Sequence, residues 1–165
     1  MSIKRPEEIS GDTATSESGW LHALEVIEEK TTNLDWILTP QLTSPLRSTD
    51  DIRNGLEIAK SGKFDSLFSC SITEILNFWE ESSGNFDSVN YDWRNRKIRQ
   101  DLPKQYIENG SFYLFRPEVL RKNNNRFGGR IGVVEMEFWK MFEIDSMDDL
   151  RMCSVLMKEF LLGVK

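Results

Sequence analysis

Between Asp35 and Cys70 the chain sets out a strand, a loop, a capped helix and a second strand, in that order. Asp35-Trp36-Ile37-Leu38-Thr39 is a short apolar run of the kind that forms a buried strand. Two prolines keep Pro40-Gln41-Leu42-Thr43-Ser44-Pro45-Leu46-Arg47 out of regular structure. Ser48, with Asp51 three residues later, marks a helix start, and Gly62 ends that helix after about Ser61. Asp65 to Cys70 is the next buried strand. This order predicts an α/β fold, in which ligands gather on loops past the carboxyl ends of strands. The loop from Gln41 to Arg47 stands at such a place, and it reads equally well as a plain connection with Arg47 in water.

The remaining elements follow from the same signals. Ser10 to Ser16 is rich in helix-capping residues, and a helix is expected from there to about Lys30, with Leu21, Leu24 and Ile27 on one stripe. His22, the sole histidine, falls one step off that stripe and is expected on the helix surface. Ser111 to Phe115 and Ile131 to Met136 read as strands, and Pro117 suits the first position of a short helix. Ser82 to Asn85 is a turn, with a strand from Phe86 to Trp93 after it and Phe78-Trp79 closing an amphipathic piece before it. Met141 to Asp145 alternates apolar with acidic, as a half-buried strand does. Ser146 and Asp149 then open a helix whose buried stripe is Met147, Leu150, Cys153, Met157 and Phe160.

A length of 165 residues suits one domain spanning 1–165, and 39% hydrophobic with 29% charged residues is an ordinary globular balance. A net charge of −6 argues against general nucleic-acid binding, so an anionic ligand must be held by local basic clusters. No apolar run reaches the length of a membrane span, and Met1 to Pro6 has no signal-peptide core. A cytoplasmic protein is expected, without membrane or nucleic-acid partners and with Cys70 and Cys153 as buried thiols; a disulfide between them stays open.

Two stretches carry candidate chemistry. Arg99 to Phe115 begins in the densest basic run of the chain, passes Asn109-Gly110 and ends in an aromatic strand. An arginine fork, a side-chain amide and a glycine-flexed backbone suit a small anion. Asn-Gly is also the strongest short hairpin signal, and a charged run is usually a solvated face. On the predicted strand, Glu143 and Asp145 leave one face together, a pair able to hold Mg²⁺, although acidic residues also collect before helices because the macrodipole favours them.

Taken in order, Arg5-Pro6 through Asp12-Thr13-Ala14-Thr15-Ser16, QLTSPLR at Gln41 to Arg47, RQ-LP-NG-Y from Arg99 to Tyr113, GGRIGVVEM at Gly128 to Met136, and Glu143-Ile144-Asp145-Ser146 resemble the acylneuraminate cytidylyltransferases. These are the synthetases of CMP-sialic, CMP-legionaminic and CMP-pseudaminic acids, and Gln105 to Glu108 is most similar to the bacterial branch. The resemblance implies a Rossmann-like nucleotide-diphospho-sugar transferase fold, with a dimerisation and sugar-binding insertion at about 72–130. It implies transfer of CMP from CTP to a nonulosonic 2-keto sugar acid, with Mg²⁺ as cofactor and a homodimer as the assembly. Arg5, Ala14 and Ser16 would then line the cytidine pocket. Gln41, Arg99, Asn109 and Tyr113 would hold the sugar acid, Arg99 gripping its carboxylate. Glu143 and Asp145 would bind the metal, with Arg99 and Asp145 as catalytic groups. Arg126 and Phe127 fall where one subunit reaches into its partner's sugar site. Glu143 departs from the family's usual aspartate.

The family's opening strand and RxGSKxxxxKN triphosphate loop have no counterpart here, and no Gly-Ser-Lys triplet occurs. The fold is therefore expected to be incomplete at its N-terminus, the chain being the C-terminal part of a synthetase. It would be a truncated frame or one half of a split enzyme, with little activity alone and with open strand edges beside the lost strand. Two further functions fit the same residues. One is a non-catalytic sugar-binding or dimerisation partner of a separate N-terminal half or full-length synthetase. The other is an enzyme activating 3-deoxy-manno-octulosonate.

Overall fold

From Asn109 to Phe115 the strand Gln105–Phe115 (β5 below) is buried on both faces, and the other layers pack on it. A computed structural model describes residues 1–31, 33–73 and 77–163, Arg99 by its backbone only. In chain order the elements are α1 (Ser16–Glu28), β1 (Ile37–Pro40), α2 (Thr49–Lys60), β2 (Ser66–Thr73), β3 (Trp79–Ser82), β4 (Asn85–Ser88), β5, α3 (Pro117–Asn123), β6 (Ile131–Met136) and α4 (Met147–Leu156). The main sheet runs β1-β5-β2-β6. β2 and β6 are parallel, and β5 runs against both β1 and β2. The fold is a mixed α/β sheet with helices on both faces.

Alternation along β5 builds the two cores. Phe112 and Leu114 point toward α2 and join Ala59, Leu67, Val134 and Met136. Tyr113 and Phe115 point the other way and join Leu24 of α1 with Val119 and Leu120 of α3. Helix α2 can come close because it carries Gly55 at the contact; a Cβ there would lie 2.9 Å from the Phe112 ring. The α2 cap is the expected one, with Ser48 and Asp51 bonded reciprocally. Asp51 also receives the buried ammonium of Lys140 at 2.8 and 2.9 Å, which ties the turn Phe138–Met141 to α2. Cys70 and Cys153 are free and buried, and burial, with the Glu135 charge, pushes the Cys70 thiol up to about 12. No helix among the described residues is long and apolar enough to cross a membrane.

Several local expectations are corrected. Asn109-Gly110 is not a hairpin turn but lies inside β5, which begins at Gln105 rather than Ser111. Met141 to Asp145 is not a strand. Alternation needs a neighbour to pair with, and among the described residues the segment's one backbone–backbone bond to the rest of the fold runs from Ile144 N–H to the Thr43 carbonyl (2.7 Å). The α4 stripe is buried only at Cys153. Met147, Leu150 and Phe160 are exposed, because α4 meets the body at its edge, Phe160 stacking on Trp139 (4.8 Å). The strand expected from Phe86 to Trp93 ends at Ser88, and Trp93 opens a short turn capped by Asp92. Between β2 and β5, residues 77–104 form an excursion that lies outside the main sheet and carries the separate β3-β4 pair.

Because Phe112 is fully enclosed between β5 and α2, Phe112→Ala should lower the unfolding free energy by about 3–5 kcal/mol in urea titrations. A loss under 1 kcal/mol, on the order of a surface change, would contradict this packing.

Candidate functional site

A wide bulge in β5 gathers the candidate residues. Phe68 of β2 faces Tyr113, and Cys70 faces Glu108, so two steps along β2 match five along β5. The surplus between Glu108 and Tyr113 stays buried and is held by side chains. Ser69 Oγ accepts from Phe112 N–H (2.9 Å), and Asn109 Oδ1 accepts from Ser111 N–H (3.2 Å). Gly110 takes a positive φ of 61°, and a Cβ there would collide with the Glu143 carboxylate and come within 2.9 Å of Ser44 Oγ. The loop after β1 is drawn onto this bulge. Gln41 N–H donates to the Ser111 carbonyl (3.1 Å), and Arg47 Nη1 donates to the carbonyls of Gln41 (2.9 Å), Ser44 (2.6 Å) and Ser111 (3.3 Å). Arg47 is thus a clamp inside the fold and does not point at water.

On one side of the bulge lies an aromatic and cationic cluster. The Arg126 guanidinium stands over the rings of Tyr113 (4.3 Å) and Trp20 (4.7 Å), and its Nε donates to Glu17 (2.9 Å). With its amide turned to satisfy both neighbours, Gln41 accepts from Arg126 Nη1 (3.2 Å) and donates to the Gly110 carbonyl (3.2 Å). Phe127 packs edge-on to Tyr113 and Phe68. The loop carrying Arg126 and Phe127 is fixed by Ser66 Oγ, which bonds both the N–H and the carbonyl of Gly128. Tyr113 donates its hydroxyl to Glu108; burial first, then this bond and the Glu108 charge, push the phenol up, with Arg126 opposing.

On the other side lie the acids. Burial, then the charges of Asp145 and Glu108, push the Glu143 carboxyl above the usual glutamate range. The enclosed Ser44 hydroxyl pulls the other way, yet it lacks a partner at full hydrogen-bond geometry. Among the described residues, Glu108, Glu143 and Asp145 form no ion pair with a lysine or arginine. Nor do those residues include a ready-made group of three or more metal-ligating side chains. The half-buried Glu143 carboxyl, pushed up by burial and its neighbours' charges, and the exposed Asp145 beside it make a pair that suits Mg²⁺, which takes one or two carboxylates and completes its shell with phosphates and water.

The sequence-predicted residues therefore divide. Gln41, Tyr113, Arg126 and Phe127 meet in one cluster within a single chain, and Glu143 adjoins it through Gly110. Asn109 lies in the bulge but turns inward, its amide donating to Met136 Sδ (3.4 Å), so its side chain does not face the cleft. Arg5 lies against Gly19 of α1, and Ala14 and Ser16 flank the cap Thr15, which puts all three at the start of α1, the end that also carries Glu17. Arg99 as a carboxylate grip lies outside the described side chains. Its backbone turn, Arg99–Asp101, runs between Ile98 and Leu102, which line a cavity of about 740 Å³ together with Asn90, Asn95, Arg96 and Gln105. Gln105, on its wall, stands five strand steps before Gly110, at most roughly 17 Å of chain. Glu17, Trp20, Ser44 and Glu108 were assigned no site role from the sequence, although Ser44 and Glu108 lie within the motif stretches. Each is a common residue at a helix start, on a helix, in a loop or on a strand, and only the fold brings it to the site.

No family model matches the chain. It is 29% identical to the post-translational flagellin modification protein B of Campylobacter coli over 167 residues, covering 99% of this chain and 70% of that protein. It is 28% identical over 151 residues to an N-acylneuraminate cytidylyltransferase of Streptococcus agalactiae, covering 89% of this chain. The chain is homologous to the acylneuraminate cytidylyltransferases. Over 71 residues it is also 35% identical to the CMP-N,N'-diacetyllegionaminic acid synthase of Campylobacter jejuni, 43% of this chain. It spans about a third (35%) of the length of the streptococcal cytidylyltransferase and 28% of the legionaminic acid synthase.

The raised Glu143 carboxyl has a signed consequence. The folded state holds that proton more tightly than the unfolded chain, so the cost of the charged pair is present at neutral pH. It disappears as pH falls through the raised value toward the ordinary glutamate range. Glu143→Gln should raise Tm by about 1–2 °C at pH 7.5, and the difference from wild type should shrink on acidification in scanning calorimetry. A variant less stable than wild type at pH 7.5 would contradict this.

Proposed function

We propose that these residues form the acceptor and metal side of a cytidylyltransferase that moves CMP from CTP to a nonulosonic 2-keto sugar acid, with release of pyrophosphate. The observation that carries this reading is the Gln41 amide, which spans from Arg126 to the Gly110 carbonyl with Tyr113 on one side and Glu143 on the other. A sugar acid needs a cation for its carboxylate, amide and hydroxyl groups for its hydroxyls, and an apolar wall for its ring and acyl groups. Arg126, Gln41, Tyr113 and Phe127 supply these, with Arg99 as a further carboxylate grip. Asn109 acts from behind, holding the bulge. Arg5, Ala14 and Ser16 take the cytidine at the start of α1. Glu143 and Asp145 would hold Mg²⁺, which when bound supplies a positive charge against the phosphates.

The sugar's anomeric hydroxyl attacks the α-phosphorus in line, and the chain's own part is to fix that hydroxyl in place and keep it there. The exposed Phe78, Trp79, Phe86 and Val89 on the excursion support a homodimer built through it. The name of the Campylobacter coli relative, a flagellin modification protein, suggests a sugar product used in flagellin modification.

Titration calorimetry with N-acetylneuraminic acid and with N,N'-diacetyllegionaminic acid tests the acceptor site. Binding of at least one is expected, weakened about tenfold or more by Gln41→Ala while Tm stays near that of wild type. Folded protein that binds neither acid would contradict the proposal. Since no Gly-Ser-Lys motif occurs, these 165 residues by themselves should form little CMP-sugar from CTP. Efficient turnover would place the triphosphate grip elsewhere in the chain.

A further inference from the structure

Arg126 is held by more groups than a surface arginine usually has. Its Nε bonds Glu17, its Nη1 lies at Gln41, and the guanidinium stands over two aromatic rings. The Arg126 side chain is 16% exposed and that of Glu17 13%, so this is a largely enclosed ion pair joining the first turn of α1 to the loop after α3. A carboxylate on the edge of a guanidinium is also how arginine takes any carboxylate ligand.

The charges around the cleft make that coincidence consequential. Glu17, Glu108, Glu143 and Asp145 all stand here. Against them are Arg126 and Arg47, and one guanidinium nitrogen of Arg47 already serves three backbone carbonyls. With Glu17 in place the Arg126 charge is neutralised, and a ligand carboxylate entering the cleft meets unpaired acids. If Glu17 moves off, Arg126 is free for the ligand, and the departing carboxylate remains beside the N-terminus of α1, where the helix dipole favours a negative charge.

We propose that Glu17 is an internal occupant of the carboxylate position on Arg126, displaced by the ligand's own carboxylate. Glu17 thereby sets how tightly the site takes acids and how strictly it prefers them to neutral analogues. This rests on the reading of the Gln41, Tyr113 and Arg126 cluster as the acceptor site. Glu17 is a specificity residue acting through competition. A residue that merely held Arg126 in position would have the opposite effect, since its loss would weaken ligand binding.

The test is calorimetric titration of the full 165-residue chain with N-acetylneuraminic acid and with its methyl ester as neutral control. Wild type, Glu17→Gln and Glu17→Asp are compared, with folding followed by circular dichroism. The acid should bind Glu17→Gln about tenfold more tightly than wild type, and Glu17→Asp, whose carboxylate is one methylene short of Arg126, more tightly by a smaller factor. The ester should bind wild type and Glu17→Gln alike. If Glu17→Gln does not fold, Glu17→Asp alone decides. Acid affinity unchanged or weakened in a folded variant, with wild type still binding, overturns the role of Glu17 and leaves the acceptor site standing. No acid binding by any folded form overturns both.

Discussion

The bulge in β5 is the constraint on which the site depends. A regular strand through Asn109 to Phe112 would carry the alternation of Phe112 to Phe115 straight on to Glu108 and present a flat ladder to β1 and β2. Instead the surplus residues lift the Gly110 carbonyl toward Gln41 and open the space beside its Cα for Glu143. The distortion is maintained by bonds that replace the missing ladder: Ser69 and Asn109 bond the backbone within it, and Arg47 binds it to the preceding loop. Bulges re-aim side chains at the cost of local pairing, and here the two side chains that cap the lost amides are themselves buried.

The electrostatics follow from the same geometry. Drawing the segment after Met141 onto Thr43 brings Glu143 toward Glu108 and Asp145 without a cationic partner among the described residues. Such an arrangement is unfavourable in the bare protein and becomes favourable when a cation or a basic ligand arrives. Arg126 presents the complementary case, a cation already neutralised by Glu17 and shielded by two rings. One face of the cleft lacks a cation, while on the other the cation is occupied.

The sequence was legible where local chemistry decides local structure. The Ser48 and Ser146 caps, the Pro117 helix start and the strands around Leu67 and Val134 form where their signals lie. It was not legible where a tertiary neighbour overrides the pattern. Asn109-Gly110 reads as a hairpin because a positive φ at glycine serves turns and bulges equally, and Ser69 and Arg47, distant in sequence, select the bulge. The alternation in Met141 to Asp145 had no adjacent edge to pair with. Of the site, the expected residues Gln41, Tyr113, Arg126 and Phe127 converge, whereas Glu17 was given no role by the sequence and emerges only from the fold, as does the part Glu108 plays.

The most direct measurement is made on Gly110→Ala, which adds one methyl group where the Glu143 carboxylate now lies and where the backbone has a positive φ. Binding of N-acetylneuraminic acid and of Mn²⁺, a paramagnetic stand-in for Mg²⁺, is followed on the folded variant. If the bulge joins the acceptor and metal sides, both affinities fall together. If either stays at the wild-type value while the other falls, the two sides do not share this hinge.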